Sequence, residues 1–133
     1  MLLVTDTHPL IFYFSNSKGK LSKKAARAFN AAVEGNTAIY IPVPVFWELS
    51  ILCENGTIQL EMPFDTWIDK ILKLPMFIVA DFDLDTIKLV HKTNFSKDPF
   101  DRSIVATALQ LDLPLITKDS QIHESEPCKI FWD

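Results

Sequence analysis

The chain is predicted to be an α/β protein of one domain, residues 1–133, with a parallel sheet of four to five strands flanked by helices on both faces. The first observation behind this is alternation. Short runs that are apolar throughout are separated by longer helix-forming stretches, and a strand buried on both faces has no polar side to display. The second is balance. A chain of 133 residues with 48% hydrophobic and 23% charged content can bury one real core and is not a disordered composition.

The elements follow in order. LLVT at residues 2–5 is the first strand, and a helix starts at once near His8-Pro9, with proline in the favoured first turn. Thr7 or His8 is expected at its cap, and Ser15 to Gly19 reads as a loop. Ser22 is a good N-cap for KKAARAFNAAVEG, which Gly35 ends. AIYI, residues 38–41, is the second strand; Pro42 and Pro44 stop it and open a helix that runs to about Asn55-Gly56. A further helix begins near Pro63-Phe64-Asp65 and covers TWIDKIL. MFIVA, residues 76–80, is the third strand, and Asp83 or Asp85 begins a helix through IKLVHK. Asp98 caps a helix over 99–111, LPLIT is the fourth strand, and CKIFW is a fifth at the edge.

Several function classes drop out. Asp6 and His8-Pro9 break the N-terminal apolar run, and no basic segment precedes it. Neither a signal peptide nor a membrane span is expected, and a cytoplasmic location follows. Cys53 and Cys128 lack a CxxC partner and read as reduced thiols, not a zinc site. His8, His91 and His123 have no metal-ligand spacing and read as structural or surface residues. Gly19, Gly35 and Gly56 read as turns, so no glycine-rich phosphate loop exists.

What remains is a set of acids in unusual places. Asp6 follows the first strand, Asp119 follows the fourth, and Asp98 and Asp101 open the helix DPFDRSIVATAL. In a parallel sheet the functional crevice lies outside the carboxyl ends of the strands, where Asp6 and Asp119 sit. Asp101 shares a helical face with Ile104, Val105 and Ala108, which turns it toward the sheet. Asp98, followed by Pro99, is well explained as a cap that also reaches a metal-bound water. Glu48 lies among Val45, Leu49 and Leu52 on an apolar face, where an unpaired carboxylate is costly. Removing these five acids from a net charge of −4 leaves the rest of the chain at +1. Such a cluster calls for one or two divalent cations, with Asp6, Asp101 and Asp119 as ligands and Glu48 either orienting the attacking water or ligating a second ion.

Residues 7–33 hold no acid but carry Lys18, Lys20, Lys23, Lys24 and Arg27. The stretch is a candidate rim for meeting phosphate, with Lys23, Lys24, Arg27 and Lys118 as the candidate contacts; a solvated helix face is its plainer reading. Phe12, Phe14, Phe46, Trp47, Phe64 and Trp67 fit either a protein-binding groove or plain core.

Three segments, LLVTDTHPLIFYF, PVFWELSILCENGTIQL and DPFDRSIVATALQLDLPLITKD, together resemble PIN-domain ribonucleases, above all the VapC-like toxins of toxin–antitoxin pairs. The resemblance covers Leu2 to about Ile122. Its pattern of acids corresponds here to Asp6, Glu48, Asp101 (with Asp98 before it) and Asp119. It implies a PIN-like fold, Mg²⁺ or Mn²⁺, RNA cleavage, frequent homodimers and inhibition by a small cognate antitoxin protein. Two other readings stay open: a solitary RNA-processing nuclease, and a non-catalytic RNA- or protein-binding module in which the acids are structural.

Overall fold

The computed structural model describes residues 1–133. Five parallel strands form one sheet in the order β3-β2-β1-β4-β5. They are β1 (Leu2–Thr5), β2 (Ala38–Pro42), β3 (Phe77–Ala80), β4 (Leu115–Ile116) and β5 (Ile130–Phe131). Seven helices flank them: α1 (Thr7–Phe14), α2 (Lys23–Val33), α3 (Val43–Glu54), α4 (Phe64–Leu72), α5 (Leu84–Lys92), α6 (Pro99–Leu111) and α7 (Ser120–Ser125). The predicted fold class is therefore the observed one, with the fifth strand at the edge.

Leu3, Val4 and Thr5 are each fully buried. Neighbours on a strand point to opposite faces, so the centre of the sheet is covered on both. Ile39 and Ile41 on one side of β1, and Leu115 and Ile116 on the other, extend the same core. Tyr13, Phe29 and Phe77 stack in it, with ring centroids 4.9 Å and 6.2 Å apart.

The chain lays β2 and β3 to one side of β1, then crosses over to lay β4 and β5 on the other. The switch falls between β1 and β4, which are joined there by the Asp6 N–H donating to the Ile116 carbonyl at 2.9 Å. A crevice opens where connections leave a sheet in opposite directions. Thus Asp6 and the segment after β4 sit at the topological switch of this sheet, the usual place for a ligand in open α/β sheets.

Local details depart from expectation in four places. Helix α1 starts at Thr7, and Asp6 itself is the cap, accepting from the Thr7 N–H at 2.8 Å. The expected cap at Thr7 or His8 is corrected: Asp6 has the extended backbone a cap needs, and its carboxylate reaches the free amide. The loop after α1 contains a 3₁₀ turn over Lys18–Lys20. LPLIT contributes only Leu115 and Ile116 to the ladder, since Pro114 has no N–H to donate. The turn after Asp119 is a short helix, α7, capped by Asp119 through the Ile122 N–H at 2.9 Å.

Helix α6 carries two of the acids, and its angle is secured from below. Arg102 donates from Nε to the Thr93 carbonyl at 2.9 Å and from Nη2 to the Val90 carbonyl at 2.8 Å. Both carbonyls lie at the C-terminal end of α5, where that of Val90 also accepts from the Thr93 N–H, so one guanidinium ties the two helices together. Arg102→Met keeps the aliphatic stem and loses both charge-assisted bonds. It should lower unfolding free energy by about 2 kcal/mol in a urea titration, and an unchanged midpoint would show the tie to be idle.

Candidate active site

Asp6 is built in by its neighbours. It is only 7% exposed, and both carboxylate oxygens are engaged. Oδ1 accepts from the Thr7 N–H, and Oδ2 accepts from the Thr117 hydroxyl at 2.7 Å. Thr117 in turn accepts from the Asp119 N–H at 3.1 Å and follows β4 directly. One threonine thus joins the acid after β1 to the acid after β4. The Thr117 carbonyl accepts from His123 Nε2 at 2.7 Å, which fixes the return of α7 onto the same edge.

Asp119 and Asp98 are caps with oxygens to spare. Asp98 Oδ1 accepts from the N–H groups of Phe100 and Asp101 at 2.8 Å and 3.1 Å, so Oδ2 remains free. Asp101 then lies in the first turn of α6, half-buried, with no hydrogen bond to its side chain, while Asp98 is exposed. Glu48, on the second turn of α3, is half-buried too. It is less enclosed than its apolar neighbours implied, because α3 sits at the rim of the crevice and Trp47 beside it is open to solvent.

The five acids act on one another. Burial first, then Asp98, Asp6, Asp119 and Glu48, push the Asp101 carboxyl up to about 7. Burial also raises the Glu48 and Asp6 carboxyls, each against local groups that favour the charged form. None of the five is in an ion pair; the two salt bridges of the chain, Lys88–Asp85 and Lys129–Asp112, lie elsewhere. A set of like charges packed in a crevice without a counter-charge is the condition that a bound cation relieves.

Whether these residues suit Mg²⁺ or Mn²⁺ can be judged on donors. All five side chains offer hard carboxylate oxygens, the type such cations prefer. The hydroxyl of Thr7 is the one buried side-chain polar atom without a hydrogen-bond partner, and it lies beside Glu48, whose charged form it favours. An unsatisfied hydroxyl among unpaired carboxylates suits a hydrated ion. The cluster is an open one, however: no three acid, histidine or cysteine side chains converge closely enough to enclose an ion as they stand.

Residues 3–125, nearly the whole chain, match the PIN domain family. The chain belongs to the PIN domain family. Ribonuclease VapC22 of Mycobacterium tuberculosis is 26% identical to this PIN domain over 121 residues, 91% of this chain and 89% of that protein. Among solved structures, VapBC2 from Rickettsia felis bound to a promoter DNA fragment has a TM-score of 0.71 at 13% identity, each chain fully covered. FitAcB from Neisseria gonorrhoeae gives 0.63 at 19% identity, covering 98% of this chain and 96% of that one. A toxin–antitoxin complex from Klebsiella pneumoniae gives 0.61 at 16%, covering 98% of each. At these identities the structural likeness concerns the fold.

Within this PIN domain, Asp6, Glu48, Asp98, Asp101 and Asp119 come together at one sheet edge. Of the basic run, Lys24 and Arg27 are turned to the C-terminal Asp133. The Lys24 N–H donates to Asp133 at 3.1 Å, its ammonium lies 4.4 Å from the Phe131 ring centroid, and Arg27 favours the Asp133 charge. Lys23 is exposed on the same helix. Lys118 does border the acids. Three participants escaped the sequence reading: Thr117, Thr7, and His8, which is close enough to favour the charged forms of Asp6 and Glu48. Their only signal was position, each within two residues of a strand-end acid.

A pH dependence follows from Asp101. An unfolded aspartate titrates at 3.8, whereas this one titrates at about 7. Between those values the folded chain holds the extra proton, so stability falls as pH rises through the interval and levels off above 7. In EDTA the melting temperature should be higher at pH 5 than at pH 8, and Asp101→Asn should narrow the gap. Equal gaps in the two proteins, read by differential scanning fluorimetry, would contradict the assignment.

Proposed function

We propose that this PIN domain is a divalent-metal-dependent endoribonuclease and the toxin of a toxin–antitoxin pair. The observation that carries the catalytic reading is the cluster of five carboxylates without a counter-charge at the β1/β4 switch point. Membership of the PIN family and the likeness to a VapC ribonuclease support RNA as the substrate.

Asp6, Asp101 and Asp119 would hold the Mg²⁺ or Mn²⁺, with Asp98 turned toward its hydration shell. When bound, the metal offsets the negative charge of a scissile phosphate and lowers the pKa of a coordinated water. The chain's own groups do the rest. Thr117 and the Thr7 N–H orient Asp6 so that its charge faces the crevice. Helix α7, through the Ile122 N–H, does the same for Asp119. Glu48 stands at the rim, its carboxyl raised by burial, and is suited to take a proton at a carboxylate oxygen from an attacking water. Burial around Asp6 limits bulk water and strengthens each of these interactions.

A protein partner is supported by an apolar stripe on α3. Val43, Trp47 and Ile51 recur every four residues and are 40%, 65% and 36% exposed, with the Trp47 ring edge-on to Phe100 at 5.2 Å. The similar structure from Klebsiella pneumoniae is a toxin–antitoxin complex, and here an antitoxin or a second copy of the chain would cover such a stripe.

Cleavage of a labelled RNA should require added Mg²⁺ or Mn²⁺ and stop in EDTA. Asp6→Asn and Asp101→Asn should each lower the rate by about 10²-fold or more, and full activity in either variant would defeat the reading. Thr117→Val removes only the bond that orients Asp6. It should cost about 10- to 100-fold in activity or metal affinity, measured by Mn²⁺ titration of the cleavage rate.

A further inference from the structure

Phe12 is a buried residue of α1, yet two lysines from other segments meet at its ring, beside His8 of the same helix. The Lys20 ammonium is 5.3 Å from the ring centroid, the Lys118 ammonium 5.0 Å, and the His8 ring 6.0 Å. We infer that Lys20 and Lys118, held on Phe12, form a phosphate clamp for the single strand of RNA leading into the carboxylate crevice. This rests on the ribonuclease reading above and adds to it where the strand lies.

The physical case has three parts. Neither lysine is in an ion pair, so two like charges share one ring without a counter-charge. The face of an aromatic ring attracts each ammonium and pre-positions it, but it does nothing for their mutual repulsion. An anion within reach of both would offset it. Glu61, which borders the same cleft as Lys20, accepts from Asn16 at 3.3 Å and pairs with neither lysine.

The second part is placement. Lys118 lies between Thr117, which holds Asp6, and Asp119. The clamp therefore begins one residue from the acids. A crevice of carboxylates repels a polyanion, and a cationic pair at its lip offsets that repulsion where the strand must enter.

The third part is chemistry. Ammonium groups on flexible stems contact phosphate oxygens and carry no base information. A polymer with a charge on every unit suits two such groups on one ring, and the ribonuclease reading above favours a nucleic acid over an acidic protein segment. The helical run at Lys23, Lys24 and Arg27 is turned instead to the C-terminal Asp133.

The test is fluorescence anisotropy of a short fluorescein-labelled oligouridylate with the full chain, in an Asp101→Asn background that leaves the RNA intact. Binding is measured across a salt series. Replacing Lys20 and Lys118 together by alanine should weaken binding about tenfold and reduce the log–log salt slope by about 1.4, the value for two single-strand phosphate contacts. Arginine at both positions should restore it, Lys24→Ala and Lys88→Ala should leave it unchanged, and melting curves should match the parent. An unaltered slope in the double alanine variant overturns the clamp, as does absence of RNA binding by the parent at low salt. So does loss of polyglutamate binding with RNA binding retained, which would assign the pair to an acidic protein. Cleavage is assayed separately without the Asp101 change: lysine-dependent binding without cleavage would remove the nuclease reading and leave the clamp standing.

Discussion

The arrangement at the top of the sheet depends on a buried aspartate. Asp6 is charged chemistry placed where the chain is otherwise most apolar, directly after Leu3, Val4 and Thr5, all fully buried. Leaving a carboxylate there unbonded costs several kcal/mol, so its surroundings are constrained. The Thr7 N–H and the Thr117 hydroxyl meet that constraint, one from the element after β1 and one from the end of β4. Because Thr117 comes from the far side of the topological switch, satisfying Asp6 also fixes how the two halves of the sheet edge meet. Asp119 is then carried into place by its own N–H on the same threonine.

Helix capping and site building are one operation here. Asp6, Asp98 and Asp119 are the N-caps of α1, α6 and α7. A cap needs one carboxylate oxygen, and a carboxylate has two, each with room for more than one partner. Three helix N-termini therefore converge on the crevice, and their free amides and dipoles help keep negative side chains together there. Asp101 and Glu48 receive less of this help. Asp101 has no hydrogen bond to its side chain, and its carboxyl rises to about 7. The surplus of negative charge is local: the cationic side chains Lys20 and Lys118 stand beside it on Phe12, unpaired.

Much of this was legible before any coordinates. The helix over 99–111 appears with those bounds because Asp98-Pro99 is a strong start signal and Asp112 a left-handed stop. Asp101 is drawn to the crevice as its spacing to Ile104, Val105 and Ala108 required. The limits of such reasoning are equally specific. Glu48 was placed on an apolar face, yet it is half-buried, because the helix lies at a rim and one side of that face meets solvent. The run of five basic residues looked like a single surface, but the 3₁₀ turn and the α2 cap divide it: Lys20 goes to Phe12, and Lys24 goes to Phe131. His8 was set aside for lacking ligand spacing, a criterion that says nothing about charges arriving from other elements.

Local rules therefore account for the strands, the helix starts and the acids at strand ends. Those depend on residues within a turn of one another: alternation of apolar runs, proline in a first turn, an aspartate before free amides. Tertiary structure decided which of those acids share a crevice, that a threonine 111 residues away completes Asp6, and that two distant lysines meet on one ring. The reason is physical. Desolvation and Coulomb interaction act through space and depend on what else is packed nearby, and no pattern along the chain encodes the distance between residue 6 and residue 117.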